Sequence, residues 1–302
     1  MSVLALLLAL VFSCSASNAQ TVTVIVNKSG FGNFTTVQQA IDWVPVNNNQ
    51  WIRIRVKAGI YTFQFTYVEE GCFGPGSNNS NRVKWMKTLN QIELAPLNTY
   101  NKLILCDEDA VPNARVEQAP AVMLWGDKAS FYACGFVSLQ DTLANMQGRH
   151  YFSQCYIESA VDFIWGYCQS IYEGCAINSK DAIVGGNPGY ITAHGRLSPN
   201  DSRGFVFEQC TVNGDDTTFL GRAYRAYSRV VFSESELGGD VLPQGWDAWR
   251  GEGHEHTHFD IFLYRVGECV GIRSHMRRRA ASDRELTSRI GSSGWKRWIR
   301  QN

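Results

Sequence analysis

The chain has 302 residues, enough to bury a sizeable core in one long domain. Its 28 Lys and Arg residues balance 28 Asp and Glu residues, so the formal net charge at pH 7 is zero. A neutral chain has no overall electrostatic attraction to nucleic acid or to anionic membranes, and neither is an expected partner.

Residues 1–19 predict a secretory signal peptide. The apolar run Val3–Phe12 is too short to span a bilayer, and the small residues before Gln20 suit cleavage near Ala19. Cleavage would remove Cys14 and leave eight cysteines, an even number that permits disulfides in an oxidising compartment. Four N-x-Ser/Thr sequons fit a secreted glycoprotein and begin at Asn27, Asn33, Asn78 and Asn200.

The elements that follow predict the capped end of a β domain. Thr21–Val26 alternates apolar and polar residues like a strand, and Trp51–Val56 predicts a second strand. Between them, GFGNFTTVQQAIDWVP predicts a short amphipathic helix with its N-cap at Thr35 or Thr36 and its end at Pro45. A helix in this place would cover the open end of the core.

Residues 64–97 interrupt the strand pattern. They are polar and glycine-rich and lack alternation over most of their length, which predicts an atypical, loop-like insert. The strand pattern resumes near Ala121. We therefore expect early turns of the β domain to be lost or replaced by loop.

An aromatic-x-x-Cys unit then recurs and predicts a parallel β-solenoid. The first three copies start at residues 131, 152 and 172, each within a run of aromatic and β-branched residues that predicts a strand. One such unit about every 20 residues fits stacked turns, or rungs, that bury their inward faces on one another. A β-sandwich with coincidental spacing is the alternative. The four copies and one degenerate copy are Phe131–Cys134, Phe152–Cys155, Tyr172–Cys175, Phe207–Cys210 and Phe232–Ser235.

The repeat also predicts where its cysteines and its polar residues lie. The four repeat cysteines should form an inward ladder of small apolar side chains, as thiols rather than disulfides. Gln118, Gln140 and Asp162 recur at a constant interval of 22 residues (140 − 118 and 162 − 140). They should stack in a line on one outer face, with Asp141 beside them. Asp162 lies in the apolar run AVDFIW, so its carboxylate needs partners.

The last segment, residues 258–302, contains ten Lys and Arg residues against four Asp and Glu residues. This excess of basic side chains predicts an atypical, solvated or disordered tail. We expect one domain over residues 20–257 between the signal peptide and this tail.

Taken together, the motifs resemble those of the plant pectin methylesterases, or pectinesterases. The matching motifs cover most of residues 23–60 and 118–256 in the family's order, and they are GFGNFTTVQQAID, AGIY, QAPA, GDKASFYACGF, LQDTL, GRHYFSQCYIESAVDFIWG, ITAHGR, LGRAY with SRVVF, and PQGWDAW. The resemblance implies an all-β, right-handed parallel β-helix in the cell wall. It implies hydrolysis of the methyl esters of galacturonate units in pectin, releasing methanol, by a monomer that needs no metal or cofactor.

Matched position by position, the resemblance implies catalytic roles for five residues. Asp162 corresponds to the nucleophile and Asp141 to the general acid and base. Gln118 and Gln140 correspond to the donors of the oxyanion hole, and Arg222 to the residue that positions and charge-pairs the nucleophile. Such chemistry needs two carboxyl groups in different protonation states, which neighbouring rungs could provide.

The resemblance implies sugar contacts at Tyr224, Trp249 and Phe163. The chain departs from the family around this groove, where Ser159 replaces the usual Gly and Trp165 the usual Phe. Tyr224 ends LGRAY where the family has LGRPW.

Two segments depart further from the family. Residues 65–89 resemble the family's C-terminal segment but lie before QAPA, and the chain after His258 resembles nothing in the family. Either a wrongly assembled gene model or a natural rearrangement would produce this order.

Three other functions compete with the esterase interpretation. His254-Glu255-x-x-His258 matches a zinc-protease motif, but no helical periodicity surrounds it to bring both His residues onto one face. Asp141-Thr142 is not followed by the Gly of an aspartic protease, and no second copy exists, so we discard that class. A β-solenoid that binds pectin without turnover is the third.

Overall fold

The computed structural model describes residues 21–45, 48, 50–63, 92–96, 103–107, 118, 120–185, 187–249 and 260–264. The predicted signal peptide, Asn78 and residues 65–89 lie outside these ranges. The helices are α1 (Val37–Trp43) and the 3-10 helix η1 (Asp181–Val184). The strands are β1 (Val22–Val26), β2 (Ile52–Val56), β3 (Gly59–Phe63), β4 (Ile92–Pro96), β5 (Leu103–Asp107), β6 (Val122–Leu124), β7 (Ala129–Tyr132), β8 (Cys134–Val137), β9 (Leu143–Asn145), β10 (Arg149–Ser153), β11 (Tyr156–Ser159), β12 (Val161–Gly166), β13 (Gln169–Glu173), β14 (Ala176–Ser179), β15 (Gly189–His194), β16 (Gly204–Glu208), β17 (Thr211–Gly214), β18 (Thr218–Arg222), β19 (Arg229–Ser233), β20 (Glu236–Leu237), β21 (Trp246–Asp247) and β22 (Asp260–Tyr264).

These strands assemble into three sheets in which neighbouring strands are parallel. Sheet A has the order β1-β2-β4-β7-β10-β13-β16-β19-β22. Sheet B has the order β20-β17-β14-β11-β8-β5-β3, and sheet C has the order β21-β18-β15-β12-β9-β6. From β4 onward the chain therefore visits sheets A, B and C in turn and stacks each rung on the one before. This is the predicted parallel β-helix, with its apolar core between the sheets.

The aromatic-x-x-Cys unit forms the corner between sheets A and B. Its aromatic residue lies in a strand of sheet A, and its Cys residue lies at or beside a strand of sheet B. The residue before each cysteine adopts the left-handed conformation, as at Ala133 (φ 51°), Gln154 (φ 54°) and Gln209 (φ 55°). The same short bend in each rung maintains the spacing of the unit.

The aromatic residues of this unit form a continuous stack along the core. Successive ring centroids lie 5.0, 4.8, 4.5 and 4.4 Å apart, with interplanar angles of 8–10°. All five rings are buried. The stack runs through Phe131, Phe152, Tyr172, Phe207 and Phe232.

The four repeat cysteines lie inside sheet B, as predicted. Cys134, Cys155, Cys175 and Cys210 are buried, and within the described residues none of them forms a disulfide. Three of these thiols approach carbonyl oxygens of the preceding rung, as Cys155 Sγ does at 3.6 Å from the carbonyl of Phe131. The ladder of buried thiols is confirmed.

Helix α1 covers the N-terminal end of the core. Its N-cap is Thr36, whose hydroxyl group accepts the Gln39 N–H at 3.1 Å, while the Gln39 side chain accepts the Thr36 N–H at 3.2 Å. This reciprocal pair satisfies two backbone donors that the first turn leaves open. Val37, Ala40 and Ile41 are buried in the core cluster, so the predicted cap is confirmed.

Strand β4 corrects the predicted insert, and β5 corrects the predicted return of the strand pattern near Ala121. Strand β4 occupies residues 92–96 and pairs with β2 and β7, and β5 pairs with β3 and β8. The loop predicted through residue 97 is wrong over its last residues, and the repeat resumes before Ala121. The polar residues before β4 hid this strand, because IELAP is too short to indicate a strand without its neighbours.

The predicted tail also contributes a strand. Residues 260–264 form β22, which pairs with β19 along its whole length. The domain boundary expected at residue 257 is therefore too early. Across the described part of the chain, no helix combines the length and the apolar character that a membrane span requires.

Candidate active site

The candidate site lies on sheet C, where an arginine and an aspartate two rungs apart form an ion pair. Asp162 is the second residue of β12, and Arg222 is the last residue of β18. Arg222 donates from Nε to Asp162 Oδ1 at 2.9 Å and from Nη2 to Oδ2 at 2.6 Å. Both side chains are mostly buried, with 11% of Asp162 and 17% of Arg222 exposed. Such a two-bond pair fixes the carboxylate in one orientation.

The second carboxyl group, Asp141, lies beside Asp162 on the neighbouring rung. Gln140 pairs with Val161, and the Asp141 N–H donates to the Val161 carbonyl at 3.0 Å. Asp141, rather than Gln140, is therefore level with Asp162, which corrects the predicted line of Gln118, Gln140 and Asp162. The reason is that this pairing advances the chain by one residue less than the 22-residue interval of the sequence.

Both aspartates lie at sharp local bends. Asp141 has φ 64° and Asp162 has φ 49°, in the left-handed region that Asp and Asn tolerate better than other residues with side chains. The register of β12 with β15 shifts after Val161, which marks an irregularity at Asp162. These bends direct two carboxyl groups out of an otherwise regular sheet.

Two glutamine side chains converge on Asp141. The side-chain amides of Gln118 and Gln140 lie close enough to its carboxyl group to lower the pKa of Asp141. Burial raises the pKa of Asp141 well above its ordinary value, and the Asp162 carboxylate adds to this rise. Arg222 and the two amides oppose the rise without reversing it. Asp141 thus holds a proton at pH values where exposed aspartates have lost theirs.

Asp162 differs from Asp141 in its direct contact with a cation. Burial raises the pKa of Asp162, while the hydrogen bonds and charge of Arg222 lower it. The net direction is upward, but the rise at Asp141 is the larger one. The direct contact with Arg222 favours the carboxylate form at Asp162, and the stronger rise at Asp141 favours the protonated form there.

Aromatic rings hold Arg222 from both sides. Its guanidinium carbon lies 4.3 Å from the centroid of Tyr190 and 4.3 Å from that of Trp249. The Tyr190 hydroxyl group donates to Asp247 Oδ2 at 2.7 Å, and the backbone N–H of Trp249 donates to Asp247 Oδ1 at 2.7 Å. The guanidinium group is enclosed by rings that one carboxylate fixes in place.

Tyr224 stands at the centre of a wall of aromatic side chains next to the two carboxyl groups. Its ring centroid lies 6.2 Å from Trp165, 5.9 Å from Tyr167 and 6.2 Å from Trp249. The guanidinium carbon of Arg225 lies 4.9 Å from the centroid of the Tyr224 ring. Tyr224 and Trp249 are partly exposed, as a sugar-binding surface requires.

Phe163, by contrast, does not line the groove. Its side chain is completely buried in the core cluster between the three sheets. The predicted contact between Phe163 and sugar is wrong, because Asp162 turns outward and the next residue of β12 turns inward.

Sequence reasoning missed Tyr190, Asp247 and Tyr167 as parts of the site. Tyr190 directly precedes the motif ITAHGR, and Asp247 lies inside the motif PQGWDAW. Trp165 was noted only as a departure from the family. Their roles depend on contacts between rungs, which no spacing within one motif reveals.

The histidines of the zinc-protease motif, His254 and His258, lie outside the described residues. Among the residues that the structure describes, no group of three or more His, Cys, Asp or Glu side chains is arranged to hold a metal ion. A carboxylate, a neighbouring carboxylic acid and two amide donors are the components of acyl transfer.

Comparison with known proteins identifies relatives of the chain. The sequence model of the family described as Pectinesterase matches residues 100–281, which extends beyond the predicted boundary at residue 257. "Probable pectinesterase 55" of Arabidopsis thaliana is 41% identical over 282 residues, covering 88% of this chain and 84% of the relative. "Probable pectinesterase 29" of the same plant is 39% identical over 285 residues, covering 87% and 82%.

Solved structures share the fold. A pectin methylesterase from carrot superposes with a TM-score of 0.68 at 20% identity, covering 91% of this chain and 95% of its own. A pectin methylesterase from Aspergillus niger superposes with a TM-score of 0.62 at 21% identity, covering 94% and 97%. A mutant pectin methylesterase, solved in complex with a hexasaccharide, has a TM-score of 0.62 at 22% identity and covers 90% and 97%.

Proposed function

The chain belongs to the pectinesterase family, and we propose that it removes methyl esters from the galacturonate units of pectin with Asp162 as nucleophile and Asp141 as general acid and base. The observation that carries this assignment is the two-bond pair of Asp162 with Arg222 beside a buried Asp141. One carboxyl group is held by a cation and the other retains its proton, so the two groups can take different roles.

The first half-reaction forms an acyl-enzyme. A carboxylate oxygen of Asp162 attacks the ester carbonyl carbon, and negative charge develops on the carbonyl oxygen. Gln118 and Gln140 each carry two amide N–H groups, so each can bond Asp141 with one and direct the other at this oxygen. A donor of this kind contributes about 10²–10³ in rate. Asp141 gives its proton to the departing methoxy oxygen, and methanol leaves.

The second half-reaction releases the product. Asp141, now a carboxylate, accepts a proton from a water molecule that attacks the acyl carbon. The bond between this carbon and Asp162 breaks, which leaves a free galacturonate carboxyl group. Asp162 returns as a carboxylate paired with Arg222, and Asp141 has regained its proton. No cofactor takes part in these steps.

The polymer is proposed to bind along the aromatic wall. The rings of Tyr224 and Trp249 are partly exposed next to the two carboxyl groups, where sugar rings could stack on them. Tyr167, which is partly exposed, extends the same wall and replaces Phe163 in this role, whereas Trp165 is 5% exposed and packs against Tyr224. Arg225 adds a positive charge beside Tyr224, which suits a polymer that gains carboxylates as the reaction proceeds.

Plant pectinesterases generally act in the cell wall, and we place this chain there as a secreted monomer that modifies pectin. Residues 1–19 have the composition of a signal peptide. Among the sequons, Asn33 and Asn200 are exposed and suit glycosylation. Asn27 is only 6% exposed and accepts the Ser29 N–H at 2.9 Å, so we expect it to remain unmodified.

Methanol release tests the proposal directly. The mature chain should release methanol from highly methyl-esterified pectin, and Asp162→Asn should abolish the release. Asn tolerates the left-handed conformation of residue 162, so the variant retains the local backbone. Binding of pectin by a folded wild type without methanol release would refute the proposal and indicate a pectin-binding relative.

A further inference from the structure

Arg222 has a second acidic neighbour besides Asp162. Residues 222 and 247 are register partners at the ends of β18 and β21, so the Asp247 carboxylate lies one rung from Arg222. Asp162, in contrast, lies two rungs away on β12, with β15 between them. An arginine side chain would ordinarily have both carboxylates within reach, since adjacent rungs lie about 4.8 Å apart. Yet Nε and Nη2 both donate to Asp162.

Other donors already occupy the Asp247 carboxylate. Its Oδ2 accepts the Tyr190 hydroxyl group, and its Oδ1 accepts the backbone N–H of Trp249. Tyr190 lies on β15, so its bond to Asp247 on β21 crosses over the strand that ends in Arg222. The Asp162–Arg222 pair crosses over β15 in the same way. The two interactions are therefore interleaved. The Tyr190–Asp247 bond crosses the strand of Arg222, and the Asp162–Arg222 pair crosses the strand of Tyr190.

The same two contacts place rings over Arg222. The phenol ring of Tyr190 lies over the guanidinium group because its hydroxyl group is tied to Asp247 on the far side. Trp249, at φ 49°, turns its ring toward Arg222 while its N–H is held by Asp247. Planar groups stacked on a guanidinium group limit its rotation and leave its edge as the donor surface. That edge faces Asp162.

We propose that Tyr190 and Asp247 are positioning residues that keep Arg222 on the nucleophile: the Tyr190 hydroxyl group occupies the carboxylate that would otherwise compete with Asp162 for the guanidinium group. This inference rests on the proposed function for its catalytic consequence. The contacts that Tyr190 and Asp247 make around Arg222 do not depend on whether the chain hydrolyses pectin. Among the residues that the structure describes, the charged and titratable groups around Arg222 include Asp141, Asp162, Tyr190 and Asp247.

Tyr190→Phe removes the hydroxyl group and keeps the ring. Asp247 then loses one donor and attracts Arg222, which weakens the bond between Arg222 and Asp162. Since Arg222 lowers the pKa of Asp162, the acidic limb of kcat/KM against pH should move upward by about 0.5–1 pH unit. Below this limb, kcat/KM should fall about three- to tenfold. Tyr190 stays protonated throughout, because burial and its bond to Asp247 raise its pKa to about 12.

Adding Asp247→Asn to Tyr190→Phe should reverse the shift of the acidic limb that Tyr190→Phe causes. In Tyr190→Phe/Asp247→Asn the competing charge is gone, while the Asn side-chain oxygen still accepts the Trp249 N–H. The acidic limb should therefore return to its wild-type position. Asp247→Asn alone should leave the limb in place or move it to lower pH, since it removes a negative charge near Asp162. A merely structural role predicts the opposite pattern, in which the double variant is worse than either single variant.

A matched control is available on another sheet. The Tyr151 hydroxyl group donates to Glu173 Oε2 at 2.9 Å, a tyrosine–carboxylate bond on sheet A away from the site. Tyr151→Phe removes the same group from the same kind of bond. It should leave the pH profile unchanged, and a shift equal to that of Tyr190→Phe would overturn the inference.

The experiment measures kcat/KM for methanol release from about pH 4 to about pH 9 in the wild type and these four variants. In parallel, hydrogen exchange of the Arg222 Nε proton is followed by NMR. Exchange should be faster in Tyr190→Phe and restored in the double variant. An unmoved limb and unchanged exchange in Tyr190→Phe, or a double variant displaced further than the single, would overturn the inference. A wild type without methanol release would refute the proposed function instead, and the exchange measurement would still decide the role of Tyr190.

Discussion

The strongest prediction concerns Asp141→Asn, which should abolish activity without loss of stability. Asp141 is 3% exposed, and its protonated carboxyl group has the shape of an Asn side chain, with one acceptor and one donor. Residue 141 has φ 64°, a conformation that Asn adopts as readily as Asp. The variant keeps the local structure but cannot exchange a proton, so kcat should fall about 10²–10⁴-fold.

The effect on stability should depend on pH in a defined direction. Because the pKa of Asp141 is raised in the folded state, its stabilising contribution is fully present below the ordinary value of 3.8. That contribution is lost as the pH rises toward the folded-state pKa. The variant has no such loss, so its stability relative to the wild type should rise by about 1.4 kcal/mol for each unit by which the pKa is raised.

Asp162→Asn provides the contrast. It leaves the Arg222 guanidinium group, whose side chain is 17% exposed, with a single uncharged acceptor. Removing one partner of a buried ion pair destabilises a fold by about 3 kcal/mol or more. For a domain of this size that corresponds to a melting temperature lower by about 6 °C. The same substitution in adjacent rungs should thus have opposite effects on stability.

Thermal unfolding at about pH 4 and about pH 7, followed by circular dichroism, measures both variants beside the wild type. We expect the melting temperature of Asp141→Asn to equal that of the wild type at about pH 4 and to exceed it at about pH 7. The opposite result would be a stability of Asp141→Asn that falls, relative to the wild type, from acid to neutral pH. It would mean that Asp141 is ionised in the folded protein. In that case its assignment as the proton donor is wrong.

Four further measurements test other parts of the structure. Gln118→Ala and Gln140→Ala should each lower kcat about 10²–10³-fold in steady-state assays, and a change confined to KM would contradict their role at the oxyanion. Phe152→Ala removes a ring stacked on two neighbours at 5.0 and 4.8 Å and should cost about 3–5 kcal/mol in denaturant unfolding, whereas Phe31→Ala, at a side chain 87% exposed, should stay within about 0.5 kcal/mol. Burial raises the pKa of Asp181 to about 7, so the stability that its protonated form contributes is lost between about pH 4 and about pH 7. Asp181→Asn should therefore be more stable than the wild type at neutral pH but not at acid pH. Treatment with a metal chelator should leave methanol release unchanged, and a loss of activity restored by zinc would show that the reaction depends on zinc.

Sequence reasoning succeeded where structure repeats from one rung to the next. The stack from Phe131 to Phe232 and the thiol ladder were predictable because each rung buries the same residue type against the rung before. Helix α1 was predictable from its capping residues and from Pro45, which are local signals. The catalytic set followed from the motifs that resemble pectinesterases.

Reasoning from single motifs failed where the position of a residue depends on the register between rungs. Strand β4 is five residues long and is recognisable only through its partners β2 and β7. Phe163 was assigned to the groove because it follows Asp162, although the bend at Asp162 turns it into the core.

The amino-acid sequence by itself determined that this chain is a solenoid of aromatic and cysteine rungs, because burial of a repeated inward face depends on composition and spacing alone. Only the tertiary structure decided that Asp141 is level with Asp162, and that Tyr190 and Trp249, both held by Asp247, enclose Arg222. Those contacts join residues up to 60 positions apart along the chain, as for Asp162 and Arg222. Their geometry depends on bends and register shifts of a single residue, which leave the periodic pattern of the sequence unchanged.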